Sequence, residues 1–420
     1  MRSKPVQWLM AAALLSTIAI PGWAQPELVG GEFKVNQNDS RQLSPQVASS
    51  PSGNSLIVWQ NDLHGIQGRA FDRNGNPTTP ELILADNNLP NLPASGVFNI
   101  HKEPAVAYLP GGEFLVLWTQ ERAYMVIDYF YLRREIREQE VYGQRFSAQG
   151  APLGQRFRVN ATTTHFQRRP QVAVRPGGVV VVWEQALKTL ERDSAAIYGR
   201  LLTRRGAPIG GEFRIDAGQS PEIWNVAVAA NGAGDFLVAW EGGNVDTPDI
   251  LARQYEHDGT PLGAAFVANP STLGRQRRPA VAATRDGDFL VAWQSYVKDT
   301  PVHGVQGQFY SAAGARIGSE LQISKGIGEV QIAPALALLP SGNIVVAWMD
   351  WIGAVPIGAF AVVIDDTGVP LGDEVRMSEE RLYPQYQISV SANAQGDILA
   401  TWESRINRER AIAARLLHAD

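Results

Sequence analysis

The sequence predicts an all-β chain, a seven-bladed β-propeller with four antiparallel strands per blade, and three observations carry that prediction. A Gly stands six residues before a Trp seven times, at Gly53/Trp59, Gly112/Trp118, Gly177/Trp183, Gly234/Trp240, Gly287/Trp293, Gly342/Trp348 and Gly396/Trp402. Successive Trp residues lie 53 to 65 positions apart, enough chain for one four-stranded unit and its turns. The seventh unit ends at Asp420 without a fourth strand, while a segment of matching type stands near the N-terminus.

In chain order, the first element is an address. Arg2 and Lys4 precede an uncharged stretch from Leu9 to Ile20, and Pro21-Gly22-Trp23-Ala24 ends it with small residues. This is the pattern of a secretory signal peptide over residues 1–24, and the stretch is too short to span a bilayer. The expectation is an exported chain, periplasmic or secreted, with one propeller domain over residues 25–420 and no membrane span.

Each unit then repeats four segments. Strand A is short and opened by Pro, as in Pro104-Ala105-Val106-Ala107 or Pro279-Ala280-Val281-Ala282; Pro is tolerated at a strand's first residue. Strand B runs from the Gly turn to the Trp through β-rich sequence such as Phe289-Leu290-Val291-Ala292, and the seven Trp residues are read as structural. Strand C carries a small third residue in every unit (Gly68, Gly143, Gly199, Ala252, Gly307, Ala361 and Ala414), read as room for a large neighbour such as the Trp. A Gly-x-Pro turn leads to strand D, as in Glu212-Phe213-Arg214-Ile215. The missing last strand D is expected to be Gly31-Glu32-Phe33-Lys34-Val35-Asn36, which reads like Gly211 to Asp216 and would close the ring non-covalently. With no Cys in the chain, that closure takes the place of disulfides.

Composition removes several classes of function. The absence of Cys excludes thiolate metal sites and a Cys nucleophile. A net charge of −5 offers no field for nucleic acid. No Gly-x-Ser-x-Gly elbow, phosphate loop, His-Glu-x-x-His helix or dinucleotide fingerprint is present. No cofactor or metal is expected, and a monomer is.

The repeated unit Pro-x-Val-Ala, Gly-x-Phe-Leu-Val-x-Trp, Ile-x-Gly-Arg-x-Phe, Gly-x-Pro-x-Gly-x-Glu-Phe-x-Val-Asn resembles the blade repeats of secreted bacterial β-propeller proteins. The resemblance covers essentially the whole mature chain, implies a fold and carries no activity with it. The units lack the Gly-His and Trp-Asp signature of WD40 repeats and the spacing of the sialidase Asp-box.

Strand alternation places the B–C and D–A connections on one face and the short, uniform A–B and C–D turns on the other. Length varies only on the first face, which is therefore the candidate site. Its largest feature is the second unit's B–C insertion, Thr119 to Glu140, with Tyr124, Tyr129, Phe130, Tyr131, Arg133, Arg134 and Arg137; Trp351 lies in the sixth B–C loop. Aromatic and Arg side chains suit a protein or glycan interface, although a lengthened hairpin would explain the same insertion. Arg168-Arg169 and Arg277-Arg278 precede strand A prolines and are candidate anion sites at the channel mouth, or else partners for blade carboxylates. The residue after the Trp is Gln60, Glu184, Glu241, Gln294 or Glu403 in five units, either a polar ring or strand-end hydrogen-bonding groups. His64, His101, His165 and His303 fall on the same face from different blades. The functional expectation is a non-catalytic protein binding a partner protein or cell-envelope glycan through this face. The alternative is a propeller-fold hydrolase or lyase acting on a polysaccharide or glycoconjugate with loop-borne carboxylates.

Overall fold

A computed structural model describes residues 26–38, 40–87, 97–128, 131–186, 194–216, 218, 223–297, 303–325, 330–353, 355–379, 387–406 and 409–419. The signal-peptide segment lies outside the described residues, among which no helix is long and apolar enough to cross a membrane. Seven four-stranded antiparallel sheets form a propeller, each in the order A-B-C-D. Blade 3 is representative, with strand A Phe166–Arg175, B Gly178–Ala186, C Ser194–Thr203 and D Pro208–Arg214.

The last blade is completed from both ends of the chain. Strand D, Glu27–Lys34, pairs antiparallel with strand C, Glu409–His418, with Phe33 opposite Ala414. The seam copies the covalently continuous blades. In blades 2 to 6 the polar residue just past strand D (Asn160, Asp216, Asn269, Ser324 or Ser378) accepts the N–H of the first inward residue of strand C, at 2.7 to 2.9 Å. In blade 7 Asn36 does the same for Ile412 at 2.8 Å, although 376 positions separate the two.

The core lies between blades. A strand's side chains alternate, so each buried strand B presents one set of residues to the preceding blade and the other to the following one. Val58 packs with blade 2 while its neighbours Ile57 and Trp59 pack with blade 7. The other repeat Trp residues follow the same rule. Trp118 packs against blade 1, Trp183 against blade 2, Trp240 against blade 3, Trp293 against blade 4, Trp348 against blade 5 and Trp402 against blade 6. All seven are at most 1% exposed, which places them in the core and out of reach of a ligand. The Trp183 indole N–H donates to Gln167 at 2.8 Å, whereas those of Trp59, Trp118, Trp240, Trp293, Trp348 and Trp402 are buried with no acceptor among the described residues. These side chains therefore stabilise the ring by packing, and truncating one to Ala should cost on the order of 3–5 kcal/mol.

Two details differ from expectation. Strand A is not opened by its Pro: in blade 3 it begins at Phe166 and Pro170 lies inside it, because a bulge between Arg168 and Gln171 removes the ladder position that Pro could not fill. The small residue of strand C makes room for strand D, not for the Trp. A Cβ built on Gly199 would stand 2.8 Å from the ring of Phe213, and on Gly143 2.8 Å from that of Phe157, with Trp183 and Trp118 absent from the nearest atoms. In each pair the Gly and the Phe are cross-strand partners.

Candidate active site at the channel mouth

The strand A bulges build the site. The residue before the Pro has a left-handed backbone at Ser44, Glu103, Arg169, Asn225, Arg278 and Ala333, with φ between 51 and 55°; in blade 4 Val226 takes the place of the Pro. A non-Gly residue adopts this conformation at a cost of about 1–2 kcal/mol, so something must hold it. For five of the six, the residue after the preceding blade's Trp does so. The Trp points to the preceding blade, so the next residue points to the following one, where its side chain accepts the N–H of the bulge residue. Glu403 takes Ser44 at 2.8 Å, Gln60 takes Glu103 at 3.3 Å, Thr119 takes Arg169 at 3.1 Å, Glu184 takes Asn225 at 2.9 Å and Glu241 takes Arg278 at 2.6 Å. For Gln60, Glu184, Glu241 and Glu403 this geometry is the strand-end hydrogen bond, made across the blade boundary; Gln294 makes no such bond among the described residues.

The bulge residues form a ring inside the B–C/D–A face, and the ring is chemically lopsided. Blades 1 and 6 contribute Ser44 and Ala333, whereas blades 2 to 5 contribute Glu103, Arg169, Asn225 and Arg278. Along this arc Glu103 accepts from the Thr119 hydroxyl at 2.8 Å and from the Arg169 N–H at 3.1 Å. Arg169 bonds Glu184 at 3.2 Å and approaches Glu103 at 3.6 Å; Arg168 approaches Glu184 at 3.6 Å. The Arg169 pKa is raised: burial acts against its charge, but Glu184 and Glu103 more than offset that. Glu241 is bound by the Asn225 amide at 2.6 Å. At the blade 7 end of the ring, burial raises the Glu403 pKa, opposed by its bond to the Ser44 N–H.

One residue of the arc escaped the sequence reading. Trp224, half-buried beside Asn225, has the guanidinium groups of both Arg168 and Arg169 at 5.8 Å from its ring. Its signal was available, because Trp224 stands outside the Gly-to-Trp repeat and so has no place in the blade core. An aromatic face flanked by carboxylates and guanidinium groups can hold a sugar ring by stacking while charged groups work on its substituents.

The other candidates are placed as follows. The second-blade insertion is a long hairpin, strands Glu113–Asp128 and Tyr131–Ser147, and strand A of the same blade, Val97–Leu109, runs beside it to pair Val97 with Tyr124. Tyr124 is half-buried, with the exposed Arg137 stacked over its ring at 4.4 Å, and Arg137 also pairs with Glu135 at 3.1 Å. Tyr129 and Phe130 lie outside the described residues, as do the side chains of Tyr131, Arg133 and Arg134. Trp351 is half-buried near the end of strand B in blade 6, opposite Pro356. His101 is buried between Asn87 and Gln120, its ring nitrogens 3.3 Å from each, and burial pushes its pKa down to about 4. Among the described residues no three His, Asp or Glu side chains group to hold a metal. The A–B turn end of the channel holds an open cavity of about 360 Å³ lined by small apolar residues including Val47, Ala107, Val172 and Ala392, with none of the arc's charged groups.

No protein-family model and no curated protein matches the chain. Solved structures do match in fold. A Dyadobacter fermentans protein of unknown function is similar over 96% of this chain and 100% of its own, at 10% identity and a TM-score of 0.53. A polysaccharide lyase, an ulvan lyase bound to a glucuronate–sulfated rhamnose unit, is similar over 94% and 96% at 9% identity and a TM-score of 0.56. The phage phi92 endosialidase is similar over 94% and 70%, at 9% identity and a TM-score of 0.51. Such likenesses establish the shared propeller architecture. They also correct the expectation of a non-catalytic binding protein: this architecture carries glycan-cleaving activity in the lyase and the endosialidase. In this chain Glu103, Arg169, Glu184 and Glu241 meet along the arc, while the hairpin's Arg137 is engaged within the hairpin itself.

Proposed function

We propose that the protein is an exported enzyme, a hydrolase or lyase acting on a polysaccharide or glycoconjugate, with its site on the arc of blades 2 to 5 at the channel mouth. The observation that carries this reading is the convergence of Glu103, Arg169, Glu184 and Glu241 around the half-buried Trp224. The glycan-cleaving neighbours and the signal-peptide pattern support it. Glu103 is the group placed for proton transfer: its side chain is 24% exposed and hydrogen-bonded, whereas that of Glu184 is fully buried and serves to position Arg169 and Asn225.

The test is incubation of the mature protein with uronate polysaccharides, sulfated glucuronate-containing polymers, polysialic acid and neutral glucans. New reducing ends report any cleavage, and ultraviolet absorbance of an unsaturated sugar reports elimination alone. Glu103→Gln is expected to lower the rate about 10²–10⁴-fold, as removal of a general acid or base does. No cleavage of any polymer, or a Glu103→Gln variant as active as the parent, would overturn the proposal.

A further inference from the structure

We infer that Arg277 and Arg278 of blade 5 form the subsite for an anionic group, a carboxylate or sulfate ester, of an acidic glycan held at the channel mouth. The two Arg pairs of strand A are equivalent in the repeat but not in their surroundings. Arg168 and Arg169 have Glu184 and Glu103 within 3.6 Å, so the charge of that pair is met inside the protein. Neither Arg277 nor Arg278 makes an ion pair or a guanidinium hydrogen bond among the described residues, and the Arg277 Nε is buried without a partner. In blade 5 the neutral Gln294 stands opposite Arg277 where Glu184 stands opposite Arg168, and the carboxylate of the preceding blade, Glu241, meets the Arg278 backbone N–H and the Asn225 amide.

Two guanidinium groups beside one another repel, and among the described residues neither is met by an ion pair. Desolvation lowers the Arg278 pKa, opposed by Glu241 and reinforced by Arg277, although part of the side chain reaches solvent. An arriving anion relieves this, and the guanidinium fork matches the planar oxygens of a carboxylate or two oxygens of a sulfate. The location fits a substrate laid across the arc, because Arg278 is the next ring position after Asn225, whose neighbour is Trp224.

This inference deepens the proposed function and rests on it for the word substrate; its test does not depend on turnover. Calorimetric binding would be measured with a galacturonate trimer, a sulfated galactan tetramer bearing no carboxylate, and cellotetraose as the neutral probe. Tighter binding of either anionic probe than of cellotetraose is expected, and which one binds identifies the group. Arg278→Gly is expected to weaken anion binding roughly 10- to 100-fold, the loss of charge-assisted hydrogen bonds, while leaving the melting temperature unchanged or raised, because Gly relieves the left-handed strain. Arg277→Gln should weaken it in the same direction, and Arg204→Gln, on the opposite rim, should not. If no anionic probe binds better than cellotetraose, or Arg278→Gly binds as the parent does, the subsite is refuted. If anions bind through these residues and nothing is cleaved, the enzyme proposal fails and the subsite stands; if neutral glycans are cleaved and Arg278→Gly is indifferent, the reverse holds.

Discussion

A chain beginning at Gln37, compared with one beginning at Pro26, tests the non-covalent closure of the ring. The truncation removes the outer strand of blade 7 and the residues that follow it. Val35 is fully buried, and its side chain contributes about 1.5–3 kcal/mol. Besides the ladder between the two strands, two bonds are lost, Val35 N–H to Ile412 O and Ile412 N–H to Asn36 Oδ1, each 2.8 Å, and a buried group left unpaired costs about 1–3 kcal/mol. Phe33 leaves Phe71 of blade 1, whose ring centroid lies 5.5 Å away, a pair worth about 0.5–1.5 kcal/mol. The combined loss is roughly 4–10 kcal/mol, comparable to the whole net stability of about 5–15 kcal/mol for an ordinary domain. Thermal melting by circular dichroism should show loss of the cooperative transition or a fall of at least about 5 °C. Amide exchange should become fast along Glu409–His418, whose ladder partner is gone. A synthetic peptide of residues 26–38 added in trans should restore protection. Unchanged melting together with protected amides in that strand would refute the closure.

Gly199→Val is expected to cost about 1–3 kcal/mol, read from urea unfolding, because its Cβ would press on the Phe213 ring, and a compensating Phe213→Ala should recover part of the loss. His101 gives the fold a pH dependence. Its folded pKa, about 4, lies below the unfolded value of 6.5, so the unfolded chain takes up a proton first, and stability is lost as pH falls from 6.5 towards 4, by an amount on the order of 3 kcal/mol. His101→Gln should flatten the dependence of melting temperature on pH across that window, and an unflattened profile would show that another group controls it.

The fold was legible in the sequence to an unusual depth because each blade repeats its reasons. The seven Trp residues, the small residue of strand C and the Gly31 to Asn36 segment each have a counterpart in the structure, and the seam at Asn36 and Ile412 follows the same rule as its internal copies. Roles were less legible than positions. The Glu before an apolar residue of strand D was visible, but not that Glu81, Glu212, Glu320, Glu374 and Glu32 each accept backbone N–H groups from the end of the preceding blade. Pro170 reads as a strand opener because a bulge cannot be seen without its partner strand.

The candidate site was legible only in fragments. Arg168, Arg169, Arg277, Arg278, Glu184 and Glu241 stand out in the sequence, but as parts of separate blades, and the insertion overshadows them because length is what a sequence displays. Trp224 could have been singled out as the Trp outside the Gly-to-Trp repeat, and Glu103 as the counterpart of Arg169 and Arg278 before a strand A Pro. By itself, the sequence determined the blade and the number of blades, because these depend on strand periodicity and turn chemistry that act within about 60 residues, and it pointed to the ring closure because Gly31 to Asn36 repeats the strand D that the last unit lacks. Only the tertiary structure decided where the chemistry gathers. The bulge residues of blades 2 to 5 come from Glu103 to Arg278 along the chain, and it takes the closed ring to bring them to one mouth. The Arg pairs of blades 3 and 5 differ in what faces them, because Glu184 and Glu103 beside the first are replaced by Gln294 and Asn225 beside the second, a change written in the sequence whose meaning needs the pairing of strands and blades.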